Sequence, residues 1–313
     1  MKAYDIILVG AGLAGLTAAS RLREAGKEFL LVDKGKSVGG RLATRRVAEG
    51  KADHGAQFFT VRTKELQSEV EHWLKKGWIM HWFGEDYPRY TSVNGMNGLA
   101  KHLSEGLEIE LNHKVTRVSR SADGFIVTAD NGKEWRGSKL IITTPAPQAV
   151  SLLQKSGIDS GAANAISFLP TYVGIFHFMR KTDLPSSGHI DHQLPEGVER
   201  IVDHQKKGIS KDVIVSVYMT AVWSYEHYGE TGVLELMKEQ VKGHLPFDDI
   251  KEEQLKKWRY AQAADTFSGS YLEVADGVFM AGDAFLRSDD SAGRTRFESA
   301  FISGVDTAAA IMK

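Results

Sequence analysis

Three features of the sequence predict an α/β fold made of two interleaved domains. The chain opens as strand, glycine turn, helix, strand and acid. Its last forty or so residues return to the same kind of chemistry, with a short apolar strand ending in Gly282-Asp283 and a long helix rich in small residues. Between them, residues 151–258 change to β-branched strands of antiparallel type. Alternating strand and helix patterns imply a parallel sheet, and the intervening run implies a second, mixed α+β domain inserted into it.

The opening carries the most information. Tyr4-Asp5-Ile6-Ile7-Leu8-Val9 is apolar and β-branched, as a buried strand requires. Gly10-Ala11-Gly12-Leu13-Ala14-Gly15 follows, then a helical segment at 16–25 halted by Gly26, and a second strand at 29–32 that delivers Asp33. This is a dinucleotide-binding βαβ unit, and its glycines have separate tasks. Gly10 permits the tight turn, Gly12 lets backbone approach a pyrophosphate, and Gly15 lets helix and strand pack closely. The first helical turn, with Leu13 and Ala14, offers N–H groups and a positive dipole end to phosphate. Asp33 is placed to accept hydrogen bonds from an adenosine ribose. A secretory leader is the alternative reading, but glycines break the apolar run and it leads straight into a second strand.

Composition narrows the function. A chain of 313 residues suffices for one large α/β unit or two interleaved domains, and a net charge of -1 gives no reason to expect a nucleic-acid or anionic-membrane partner. No apolar run approaches the roughly 20 residues of a membrane span. The absence of cysteine excludes disulfides, thiolate metal sites, a redox dithiol and a cysteine-linked prosthetic group. It fits a reducing, cytoplasmic setting. No metal site is expected.

Further along, Lys34 follows the acid, and Gly39-Gly40-Arg41 marks a loop where backbone comes close to another group. The Arg41 guanidinium is placed to meet a phosphate, the alternative being a solvated surface arginine. In Asp53-His54-Gly55-Ala56-Gln57-Phe58-Phe59, His54 reads as a hydrogen-bonded loop histidine, with a general base as the alternative. Residues 64–76 have the period of an amphipathic helix, and the aromatic-rich segment 78–90 reads as packing. Asp130-Asn131-Gly132 marks a hairpin turn. The strand at 139–143 is halted by Pro145 and Pro147, where we expect the chain to cross into the second domain. That domain shows strands at 171–178 and 213–218 and a helix at 232–244, and it lacks a second glycine fingerprint. Trp223, Tyr225 and Tyr228 are its candidates for a flat-ring pocket. His177, His204 and His227 are isolated, so no catalytic base is nominated. Near the end, Asp283 places a carboxylate at a strand's carboxyl end. The turn Ser291-Ala292-Gly293-Arg294 leads into a helix at 295–311 whose N-terminus offers positive potential.

Together these pieces resemble the flavin-containing amine oxidase superfamily, with its two-domain, glutathione-reductase-like FAD fold, and within it the renalase family. The resemblance covers nearly the whole chain. It is carried by the Gly10–Gly15 turn, Gly39-Gly40-Arg41, the 53–58 segment, Thr144-Pro145-Ala146-Pro147, Trp258-Arg259-Tyr260-Ala261, Ala281-Gly282-Asp283 and Gly293-Arg294. It implies a Rossmann-type FAD-binding domain from residues 1–60, 95–150 and 259–313, and a substrate domain from 61–94 and 151–258. It also implies non-covalent FAD. Gly10, Gly12, Gly15 and Arg41 would lie at its pyrophosphate, Asp33 and Lys34 at its adenosine ribose, Val115 at adenine, and Gly40 beside the phosphates. Gly282 and Asp283 would meet the ribityl chain, and Gly293 and Arg294 the pyrimidine edge of the ring. Gln57, Phe58 and Phe59 would sit near the flavin ring. The activity implied is oxidation of isomeric dihydro-NAD(P) (the 2- or 6-dihydro forms) by hydride transfer to flavin N5. Dioxygen then reoxidises the flavin, giving NAD(P)+ and hydrogen peroxide. Two alternatives stay open. One is an amine oxidase or related desaturase, in which a lysine–water bridge often reaches N5. The other is a non-catalytic flavin-binding redox sensor. Oligomeric state is left open.

Overall fold

The computed structural model describes residues 2–290 and 292–313. Its larger sheet has eight strands. The parallel centre runs Val278–Met280, Glu134–Ile142, Ala3–Val9, Phe29–Val32 and Ile109–Glu110. Leu272–Ala275 closes one edge antiparallel, and the Val115–Ser121 and Gly124–Ala129 hairpin joins Glu134–Ile142. The first strand is therefore central and apolar on both faces, as helix-covered parallel strands must be.

On one face the helices Leu13–Glu24, Lys64–Lys75, Met96–Leu103 and Phe297–Ile311 bury a core that includes Leu16, Trp73, Leu99 and Phe301. The first and last helices touch along their small residues, and a Cβ on Gly304 would stand 2.5 Å from the Ala14 carbonyl oxygen. On the other face, Ala146–Lys155 packs Ala149 and Leu153 onto Leu140 and Ile142.

The second sheet has five antiparallel strands in the order His189–Ile190, Val198–Asp203, Val213–Met219, Phe168–Phe178 and Ile250–Ala263. Alternation sorts its faces. Val213, Val215, Val217 and Met219 enter a core beneath the helices Ala221–Glu226 and Val233–Val241. Ile214 packs instead with Ala52 and Val47 of the nucleotide side, and Ser216 and Tyr218 share its face.

Four boundaries differ from the sequence reading. Residues 64–75 belong to the first core, because Trp73 packs edge-on to Phe297 and Phe301. The proline pair starts a helix and does not end the domain. Pro145 is the N-cap and Pro147 stands in the first turn, where a missing N–H costs nothing. The chain enters the second sheet only at Phe168. The strand holding Trp258 runs unbroken to Ala263, past the expected boundary at 258. The C-terminal helix begins at Phe297, two residues later than its period suggests.

Candidate functional site

A cleft of about 2040 Å³ lies between the two sheets, beginning at the carboxyl ends of the parallel strands. Small-molecule pockets typically hold about 300–1,000 Å³, so this one has room for a dinucleotide and a further ligand.

Its floor is the glycine turn. Gly10 adopts φ +114°, and a Cβ there would press on Thr143. A Cβ on Gly15 would fall 2.0 Å from the Gly10 carbonyl oxygen, so Gly15 serves helix–strand packing from behind the cleft and is not part of its wall. Gly12 is different. Its φ of −77° suits any residue, and a Cβ would meet no protein atom within 4 Å. Neither strain nor packing requires glycine at this position, and the open space faces the cleft. That is the expected signature of a cradle shaped for a closely approaching group. The helix that starts there carries no acid in its first turn and no side-chain cap, so its N-terminal field is left for an anion. These features fit the pyrophosphate of FAD.

Asp33 closes the second strand in the cleft wall. Its carboxylate accepts from the N–H groups of Ala11 (2.7 Å) and Gly35 (2.6 Å), which fixes its direction. Lys34, Gly40 and Val115 line the same end. Arg41 and Asp283, expected at phosphate and ribityl positions, both line the cleft and face each other as a bidentate pair at 2.7 and 2.6 Å. Arg41 also donates to the Ala261 carbonyl. Gly282 turns at φ +146° beside them and donates its N–H to Ser303.

At the other end, Arg294 lines the cleft but Gly293 does not. Gly293 sits at φ +58° in a turn whose N–H returns to the Asp290 carbonyl, so that amide is not free for a ring edge. Ser291 of this turn lies outside the described residues. In the last helix's first turn, Glu298 faces the neighbouring loop and accepts from Arg62 N, Thr63 N and Thr63 Oγ1.

The 53–59 segment forms the inner wall. The Phe58 ring is in it, edge-on to Phe83 and His189, with the Arg200 guanidinium 5.7 Å above. Phe59 reaches the wall but is buried, stacked 4.1 Å from Phe297. His54 stacks on Trp258 at 5.5 Å, and Trp258 Nε1 donates to the His54 carbonyl. Burial, with nearby Lys256, pushes the His54 imidazole down to about 4. It is therefore neutral at pH 7, and its Nδ1 is buried without a hydrogen-bond partner, so the ring expected to be hydrogen-bonded is held by stacking on Trp258 instead. Gln57, expected to act on the ring, has its carboxamide committed elsewhere. Oε1 accepts from Lys207 at 3.0 Å, and Nε2 donates to the Asp53 carbonyl (2.8 Å) and to the Tyr218 hydroxyl.

The aromatic trio proposed for the substrate pocket lies elsewhere. Trp223 is in the second domain's core, stacked on His227. Tyr225 and Tyr228 project from the outer surface, 71% and 46% exposed. All three sit on the helix-bearing side of the second sheet, and the cleft is on the other side. His177, His204 and His227 are likewise outside the cleft wall.

The sequence reading missed Lys207, Tyr218 and Arg200. Lys207 and Asp53 form an ion pair at 2.7 Å with both side chains fully buried. Lys207 and Asp53 are 154 residues apart, and no local pattern announces the pairing.

Comparison with known proteins agrees with this geometry. Residues 8–76 match the NAD(P)-binding Rossmann-like domain, and residues 72–312 match the model of flavin containing amine oxidoreductases. The chain is similar to renalase from Mus musculus, 25% identical over 91% of this chain and 94% of that protein. It is also similar to digeranylgeranylglycerophospholipid reductase 1 from Methanosphaera stadtmanae, 26% identical over 51% of this chain and 42% of that one. Wild-type putrescine oxidase bound to putrescine shares the fold, with a TM-score of 0.64, 14% identity and 99% of each chain covered.

Proposed function

Because the chain belongs to the flavin containing amine oxidoreductase family, we propose that it is a renalase-like, FAD-dependent oxidase of isomeric dihydro-NAD(P). The chemistry that FAD supplies when bound is hydride acceptance at N5 and reoxidation by dioxygen, giving hydrogen peroxide. The protein's own share is binding, orientation and exclusion of water.

Gly10, Gly12 and the first turn of the Leu13–Glu24 helix would hold the pyrophosphate without cationic side chains. Asp33, locked by two backbone donors, would present its remaining lone pairs to the ribose. Lys34 and Val115 would flank the adenosine, and Gly40, Gly282 and the Arg41–Asp283 pair the middle of the cofactor. The cofactor would be held without a covalent bond. The Phe58 ring, with the Arg200 guanidinium over it, would offer a flat substrate ring one stacking face and its phosphates one cation.

The observation that carries this reading is the protonation state of the ring end. His54 is neutral there, with its pKa pushed down to about 4, and burial holds the Tyr218 phenol protonated well above its usual range. Neither group is poised to exchange a proton near pH 7. A dihydropyridine needs no such group, because it carries a transferable hydride without prior deprotonation. An ammonium substrate must first lose a proton. Positioning against N5 is then the main catalytic contribution. For the amine-oxidase alternative, the lysine that the second sheet brings to the cleft wall, among the described residues, is Lys257, which is exposed and sits 5.4 Å over the Tyr172 ring.

The test is aerobic turnover with an aged NADH preparation containing its isomers, set beside pure β-NADH and simple amines. The isomer fraction should be consumed with equal amounts of NAD+ and peroxide. Peroxide from amines, with none from the isomers, would reject the reading.

A further inference from the structure

Beneath Phe58 lies a buried polar network that the proposed reaction does not use. Lys207 is 2% exposed, and its ammonium group spends all three hydrogens: on Asp53 Oδ2 (2.7 Å), the Gln57 carbonyl (2.6 Å) and Gln57 Oε1 (3.0 Å). Asp53 Oδ1 accepts from Met96 N and Thr44 Oγ1. Its carbonyl oxygen accepts from Gln57 Nε2, Ser216 Oγ and the Tyr218 hydroxyl. His204 Nε2 is 2.8 Å from Ser216 Oγ. Almost every polar atom of the network is satisfied, and it joins the 53–59 loop to the second sheet.

Stability alone does not explain such a pair. Desolvating two charges costs several kcal/mol, and apolar residues of the same volume often do as well or better. The network does fix orientation. An ammonium beside Gln57 forces the carboxamide oxygen toward it, since the flipped amide would set N–H against N–H. Nε2 must then face Asp53 and Tyr218. That choice sets the backbone at Gln57, and with it the direction of Phe58. The Tyr218 ring, held by its hydroxyl bonds, lies 5.9 Å under the same Arg200 guanidinium that covers Phe58.

We propose that Lys207 is a positioning residue: through Gln57 and Tyr218, the buried Lys207–Asp53 pair sets the Phe58–Arg200 wall against which the flavin and substrate rings are placed. The proposal rests on the cleft being the flavin site.

The test compares Lys207→Met, the charge-free double variant Lys207→Met/Asp53→Asn, and Tyr218→Phe, each loaded with FAD. The readouts are melting temperature, FAD dissociation constant, the visible spectrum of bound flavin, its midpoint potential with dithionite, and the anaerobic reduction rate by the dihydronicotinamide isomers. Lys207→Met leaves a buried carboxylate without its cation and should melt lower. The double variant removes that charge and should recover the melting temperature. It should not recover the flavin spectrum, and reduction should stay roughly 10- to 100-fold slow, the cost of misplacing reacting groups by about 1 Å. If melting temperature, spectrum and rate recover together, the network is structural only and the proposal falls. Should Lys207→Met fail to fold, Tyr218→Phe and the double variant carry the comparison, and wild-type spectra and rates in both overturn it. Spectrum, potential and FAD affinity need no substrate. A wild-type flavin that the isomers do not reduce would therefore reject the functional reading and still leave the positioning claim open to decision.

Discussion

Two glycines three positions apart, Gly12 and Gly15, serve opposite ends in this molecule, and substitution separates them. Gly12 faces open space at an ordinary φ, so Gly12→Val should fold, with a stability loss of about 1 kcal/mol for a poor N-cap, and yet purify without FAD. Protein carrying stoichiometric yellow flavin would contradict the assignment. Gly15→Ala drives a methyl group into the Gly10 carbonyl oxygen and should cost about 3 kcal/mol or more, read as a fall in the urea midpoint. Asp283→Ala strips a partly buried partner from Arg41. It should lower stability by about 1–3 kcal/mol and weaken FAD retention in a flavin-release titration. The glycine turn and its acid were legible in the sequence because their chemistry is local. Lys207, Tyr218 and Arg200 were not, because nothing near them in the chain shows that they meet residues 53–58. The aromatic residues Trp223, Tyr225 and Tyr228 misled for the same reason: a cluster of rings does not reveal which face of a sheet it covers.

Among the elements, the helix Lys64–Lys75 shows how packing overrides a boundary drawn on pattern. Its period is plain in the sequence, but the partner of its apolar stripe is not. Trp73, 1% exposed, meets Phe59 from the cleft wall and Phe297 and Phe301 from the C-terminal helix. Trp73→Ala should therefore cost about 3–5 kcal/mol, measured by chemical denaturation of the nucleotide-binding side. A loss below about 1 kcal/mol would mean that this helix is peripheral. The proline pair teaches the same lesson: Pro145 and Pro147 mark a boundary, and the boundary is the start of a helix packed on the same sheet.

For the whole molecule, burial of imidazoles gives a pH signature. His54, His189 and His204 all have folded-state pKa values lowered from 6.5, chiefly by desolvation. As pH falls below 6.5 the unfolded chain takes up these protons before the folded one does. Stability must therefore decline from about pH 6.5 down toward the His54 value of about 4. Melting temperature recorded across that window should fall steadily, and a flat profile would contradict the burial of these rings. Above it, the same groups are neutral in both states and contribute no pH dependence. Two sheets facing each other across one cleft make this burial possible, since His54 and His204 both lie where the nucleotide side meets the second sheet.

The proposed activity is oxidation of dihydronicotinamide isomers at the cleft's ring end. It is tested most directly without oxygen, by mixing the purified FAD-bound protein with the isomer fraction, with pure β-NADH and with simple amines, and following the flavin's visible absorbance. Rapid bleaching by the isomers alone is the expected result. Bleaching by an amine, or a flavin that only dithionite reduces, would contradict it.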